Sequence, residues 1–153
     1  MTTKASKIIA ALQGKTICTA ESLTGGGIGA VLTSVPGASA VFKGGIISYV
    51  DEVKSQVLGV PAADLEAFGA VSAPVAKAMA EGARRLLKAD IAISVTGLAG
   101  PTGDEYGHDV GTVFIGYADE NTTLVKECHF QGDREAVRTQ TIEAALALVL
   151  QHL

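Results

Sequence analysis

The stretch KTICTAESLTGGGIGAVLTSVPG, residues 15–37, decides how the chain folds. Its first part, KTICTA (15–20), is a β-rich run bounded by Gly14, which marks a strand. Residues 24–35 read as a helix stopped by Pro36-Gly37. Between the two stand Ser22, Thr24 and three consecutive glycines, Gly25, Gly26 and Gly27. A strand that turns directly into a helix is the opening unit of an α/β sheet, and in open α/β sheets sites gather beyond the carboxyl ends of the strands. Glycine at a helix start costs about 0.5–1 kcal/mol against alanine, so three in succession suggest a reason beyond folding.

Outward from this unit, residues 3–13 read as a short helix ending at Gly14, and FKGGIISYV (42–50) as a second strand. Helix signals return at 51–58 and, after Pro61, at 62–68. Ser72 then precedes APVAKAMAEGARRLLKAD (73–90), where Val75, Met79, Ala83, Leu86 and Leu87 recur at helical spacing and Arg84, Arg85 and Lys88 suit the C-terminal dipole. IAISVT (91–96) is a continuous apolar run of buried-strand type, followed by a loop over 97–109. Runs 110–118 and 122–130 flank Asp119-Glu120-Asn121 as a hairpin, and a last helix starts near Asp133 and runs to about 151. Strands alternating with helices, closed by a hairpin, predict a single domain over 1–153: a three-layer α/β/α sandwich with a mixed sheet.

Composition narrows the function. The 153 residues are 48% hydrophobic and 18% charged with a net charge of −4, which argues against disorder and against a nucleic-acid coat, so any anion site must be local. Cys18 and Cys128 lie far apart in apolar runs, with neither C-x-x-C spacing nor paired histidines, and read as reduced core residues. No segment has the run of about 18 apolar residues that a membrane span needs, and the N-terminus lacks a signal peptide's apolar run. The expectation is a cytoplasmic protein with no membrane or nucleic-acid partner, no metal and no cofactor.

The glycine turn follows no common motif: there is no G-x-x-x-x-G-K-[ST], no G-x-G-x-x-G, no G-x-S-x-G and no S-x-x-K. Ser22 is open to three readings: a helix cap, part of a phosphate cradle, or a nucleophile. A nucleophile needs a base. A set with His108 and Asp109 is conceivable, but Lys54 is more suggestive: Val50, Val53, Lys54, Val57 and Leu58 share one helical face, which sets an amine in an apolar stripe. It either snorkels from the stripe's edge or is desolvated enough to take a proton from serine, with Tyr49 close by to position it. In FQGDREAVR (130–138), Arg134 and Arg138 lie on one face of the last helix, either neutralised by Asp133 and Glu135 or free to receive a phosphate or carboxylate.

With TAESLTGG (19–26), GGIISYVDEVKSQVLGV (44–60), GAVS (69–72), SVTGLAGPTG (94–103), VGTV (110–113) and FQGDREAVR in this order, the chain resembles the CinA C-terminal domain family from about residue 4 to 151. That family includes nicotinamide-nucleotide amidases, which hydrolyse the carboxamide of nicotinamide mononucleotide without a metal. The resemblance implies Ser22 as nucleophile, Lys54 and Tyr49 as the partners that activate it, and substrate contacts from Thr96 and Gly97. Of the two arginines it favours Arg138 over Arg134 as a further contact. It implies the three-layer fold, a pyridine mononucleotide as substrate and a homodimer or higher homo-oligomer. For the mechanism, amides of Gly25 and Gly26 would hold the oxyanion; Thr24 is expected beside them among the substrate-binding residues and is also the better candidate for the helix cap. The loop TGDEYGHDVG (102–111) departs from the glycine-rich, Lys-Pro-ended loop of many relatives, and the pyrophosphatase-like domain of larger relatives is not part of these 153 residues.

Overall fold

Strand-forming and helix-forming stretches alternate along most of the chain, and the computed structural model, which describes residues 2–153, arranges them in layers. Helix α1 (Lys4–Ala11) is started by a capping box between Thr3 and Ser6. Strand β1 (Ile17–Glu21), helix α2 (Gly27–Thr33), strand β2 (Phe42–Ile47) and helices α3 (Asp51–Gln56), α4 (Ala62–Phe68) and α5 (Ala73–Leu87) follow. Strands β3 (Ile91–Gly97), β4 (Thr112–Ala118) and β5 (Thr123–His129) precede helix α6 (Arg134–Leu150), which Asp133 caps through the Ala136 N–H at 2.9 Å. The described residues form a five-stranded sheet in the order β2-β1-β3-β4-β5, parallel across β2, β1 and β3 and antiparallel from β3 to β5.

Every residue of β1 and β4 is buried, because both faces of the sheet are covered. The period of two sorts their side chains. Ile17, Ile93, Val113, Ile115 and Tyr117 pack with Ile8 of α1, Ile28 of α2 and Val137, Leu146 and Val149 of α6. Cys18, Ala20, Ala92 and Ala118 face the other way, against Met79, Ala80 and Ala83 of α5 together with Leu58, Val60 and Leu65. The α5 side is lined with small residues, so the helix comes close: Ser94 Oγ donates to Ala76 O at 2.7 Å, and a Cβ on Gly116 would lie 2.6 Å from the same oxygen. The result is a three-layer α/β/α fold with a mixed sheet. Both cysteines are free and buried, and burial pushes the Cys18 thiol up to about 12.

Gly82, on α5, faces the main chain of Leu58, whose carbonyl oxygen would collide with any Cβ there. Alanine in a helix interior normally gains about 1 kcal/mol over glycine. Here the contact is with backbone and cannot swing aside, so Gly82→Ala is expected to destabilise by about 3 kcal/mol, measured by urea unfolding.

The helix expected over 24–35 begins three residues later. Gly25 and Gly26 have φ of 60° and 99°, and Gly26 in the left-handed region is the N-cap, with no side-chain capping bond. Thr24 therefore does not cap α2; its hydroxyl goes elsewhere, as described below. The expected strand over 42–50 ends at Ile47, and the one over 110–118 starts at Thr112, because Gly111 holds a φ of 94° against the Phe130 main chain. No helix of the described residues is long and apolar enough to cross a membrane.

Candidate active site

The carboxyl ends of β1, β2 and β3 lie side by side, with Glu21 paired to Ile47 on one flank and Val95 on the other. The chain leaves each strand there: Ser22 follows β1, Ser48 follows β2, and Thr96 and Gly97 finish β3. A cavity of about 460 Å³ opens above these ends, and Ser22, Tyr49, Lys54, Thr96, Gly97 and Arg134 all line it. Gly97 has no room for a side chain, since a Cβ would lie 2.6 Å from Val113 Cγ2. The Thr96 hydroxyl donates to Ala70 O at 2.9 Å.

Ser22 and Lys54 meet at the floor. Lys54 Nζ lies 3.0 Å from Ser22 Oγ, and it donates to Ser48 O at 2.7 Å and to Tyr49 O at 3.2 Å. Lys54 is 1% exposed and Ser22 7%. Burial lowers the Lys54 pKa to about 8, against the opposing pull of the Asp51 carboxylate. The two carbonyls hold two N–H bonds of the amine, so in its neutral form the remaining tetrahedral position, the lone pair, points at Ser22. A serine and an amine so placed are within the reach that proton transfer between a nucleophile and a base requires.

The apolar stripe expected around Lys54 does not exist in the fold. Val50 and Val57 are 54% and 45% exposed, and of that face Lys54 and Leu58 turn inward. Helix α3 is a single short element laid across the strand ends, so its inward face is set by the cavity rather than by a broad apolar core. Tyr49 reaches Lys54 through its carbonyl; its ring is 57% exposed at the cavity mouth and its hydroxyl accepts from Arg134 Nη2 at 3.2 Å. His108 is held by Asp104 at 2.8 Å and packs edge-on against Phe114; it does not serve Ser22.

The two arginines divide. Arg134 lines the cavity and ties Gly100 O, at 2.6 Å, to the Tyr49 hydroxyl. Arg138 lies beneath the glycine turn, donating to Leu23 O at 3.0 Å and Thr24 O at 3.3 Å. Thr24, Gly25 and Gly26 build that turn rather than line the cavity. The Gly25 N–H is spent on Ser22 O at 3.1 Å and that of Gly27 on Thr24 O at 3.0 Å. Gly25 therefore has no amide to offer an oxyanion, whereas Gly26 has no main-chain acceptor among the described residues.

Two participants were missed in the sequence. Ser48 contributes a main-chain carbonyl, which leaves no side-chain signal. Glu21 left one: a carboxylate closing the buried strand ICTAE, where only a fully hydrogen-bonded acid is tolerated.

The chain is thus a three-layer α/β domain with a buried serine-lysine pair at the carboxyl ends of its parallel strands. A family model, the CinA C-terminal domain, matches residues 1–153, and the chain belongs to that family. A CinA-like protein of Sulfurihydrogenibium sp. is 48% identical over 139 residues, covering 91% of this chain and 35% of its own. A CinA-like protein of Geobacter metallireducens is 48% identical over 133 residues, with 87% and 32% covered. The chain thus spans about a third of the length of the curated relatives it matches. Among solved structures, competence/damage inducible protein CihA from Agrobacterium tumefaciens superposes with a TM-score of 0.94 at 36% identity, covering 97% of this chain and 92% of that one. A CinA superfamily protein from Escherichia coli gives 0.92 at 33%, with 99% and 91% covered.

Proposed function

We propose that this chain is a serine amidohydrolase that converts nicotinamide mononucleotide to nicotinic acid mononucleotide and ammonia. The observation that carries the reading is the buried amine of Lys54, 3.0 Å from Ser22 Oγ, with its other two donors fixed on carbonyls. Neutral Lys54 takes the Ser22 proton as Oγ bonds to the carboxamide carbon. As the C–N bond breaks, the Lys54 ammonium returns the proton and ammonia leaves. Water then adds to the acyl-enzyme, giving its proton to Lys54 and so back to Ser22, and the acid is released. Arg134 meets the phosphate.

The test is ammonia release from nicotinamide mononucleotide by the purified chain; tight binding with no ammonia at high protein concentration would leave a non-catalytic nucleotide-binding module instead. A second reading, a carboxamide without phosphate, draws support from the lining: Asp51, Asp104 and Glu105 stand there with Arg134 as the one guanidinium among the described lining residues. Faster turnover of nicotinamide riboside than of the mononucleotide would favour it.

Because Lys54 must be neutral to accept the proton, kcat/KM is expected to rise with pH through about 8. The Asp51 charge favours the ammonium, so Asp51→Asn lowers the Lys54 pKa and moves this acid limb to lower pH. A pH-rate profile of the two proteins checks the direction.

A further inference from the structure

The Glu21 side chain is 2% exposed and sits one residue before Ser22. Its Oε1 accepts from the Thr24 hydroxyl at 2.6 Å and the Ile28 N–H at 2.8 Å. Its Oε2 accepts from the Gly29 N–H at 3.0 Å and the Thr19 hydroxyl at 3.1 Å. Ile28 and Gly29 are the second and third residues of α2, whose own N-cap, Gly26, has no side chain. Glu21 therefore does the capping from outside the helix, across the turn that carries Ser22. The Glu21 carbonyl also accepts the Ser48 N–H at 2.7 Å, and the Ser48 carbonyl accepts from Lys54 Nζ at 2.7 Å. One residue thus anchors the turn below the nucleophile and is one peptide away from the support of its base.

We propose that Glu21 is a positioning residue for the amidase reaction, its carboxylate holding the 22–26 turn against α2 so that Ser22 Oγ stays aimed at Lys54. The role rests on the reading of Ser22 as nucleophile. A second consequence concerns the substrate. The α2 amides that would otherwise attract an anion are filled by a carboxylate of the chain itself, so the phosphate is left to Arg134 and the turn serves the carboxamide end. Glutamine cannot replace Glu21 here. Each oxygen faces a main-chain N–H that cannot reverse, so either orientation of the amide sets an NH2 group against an N–H.

The experiment measures kcat and KM for nicotinamide mononucleotide, thermal unfolding, and the rate at which a small fluorophosphonate modifies Ser22, with Oγ displacing fluoride, read by intact mass. Glu21→Gln is expected to remain folded with kcat lower by about 10²-fold, as for a misplaced nucleophile, with slowed Ser22 modification and KM unchanged. A folded Glu21→Gln protein with wild-type kcat and labelling rate, even if it melts earlier, shows a cap and nothing more and overturns the proposal. If that variant fails to fold, Thr24→Val decides, since it keeps the carboxylate and both amides and deletes one tether. About a tenfold fall in kcat is expected there, and wild-type kcat overturns the proposal. Wild-type turnover in Ser22→Ala, with no labelling of the native protein, is a different failure: it removes the nucleophile reading and this role with it.

Discussion

Ser22→Ala is expected to lower ammonia release by about 10⁴- to 10⁶-fold, the scale of losing a nucleophile that works as a unit with its base. The fold should hold. Lys54 keeps its bonds to Ser48 O and Tyr49 O, and the deleted hydroxyl leaves no other buried group unpaired. Nothing that lines the cavity toward the phosphate changes, so mononucleotide binding by calorimetry should persist. Activity close to wild type in this variant would sink the nucleophile assignment.

Lys54→Met is expected to be nearly as damaging, and the double variant with Ser22→Ala no slower than Ser22→Ala alone, because a base without its nucleophile has nothing to deprotonate. If Lys54 only bound substrate, KM would rise with kcat retained. The same residue leaves a mark on stability. Its pKa falls from an ordinary 10.5 to about 8 on folding, which corresponds to about 3 kcal/mol at about 1.36 kcal/mol per pH unit. Between those two values the unfolded chain binds the proton more readily than the folded one, so stability rises with pH across that window and is lowered below it. Measured against Lys54→Met, in which every other group titrates alike, the wild type should gain about 3 kcal/mol between pH 7 and pH 11. A pH-independent difference would mean that the amine is not desolvated. Cost in the fold and reactivity in the site come from one cause, the burial of a lone amine.

Much of this architecture was legible along the chain. Gly14, Pro36-Gly37 and Pro61 punctuate it, the run 15–20 reads as a strand, and 91–96 reads as a strand of buried type. The asparagine-containing turn after β4 marks the hairpin, with Asp119 Oδ1 accepting from the Asn121 and Thr122 N–H groups. Ser22, Lys54, Thr96, Gly97 and Arg134 were all singled out, and all reach one cavity.

The reasons were less accurate than the residues. Lys54 was noticed for valines beside it, of which Val50 and Val57 prove exposed, and Tyr49, expected to position Lys54, touches it through a main-chain carbonyl while its hydroxyl faces Arg134. Arg138 was weighed as a substrate contact and sits beneath the turn, bonded to Leu23 and Thr24 carbonyls. Thr24 was expected to cap α2, a task that falls to Glu21.

What the sequence by itself determined was therefore the order of strands and helices, the place of the glycine turn and the residue types available for chemistry. These depend on local periodicity and on backbone freedom, which neighbours along the chain dictate. The tertiary structure alone decided which atoms meet. Lys54 lies 32 residues from Ser22 and is bonded to it only because β2 runs parallel beside β1 and delivers α3 across the strand ends. Its orientation comes from two main-chain carbonyls, and the cap of α2 from a side chain outside the helix. Such bonds are fixed by strand register and carry no pattern in the linear order of residues.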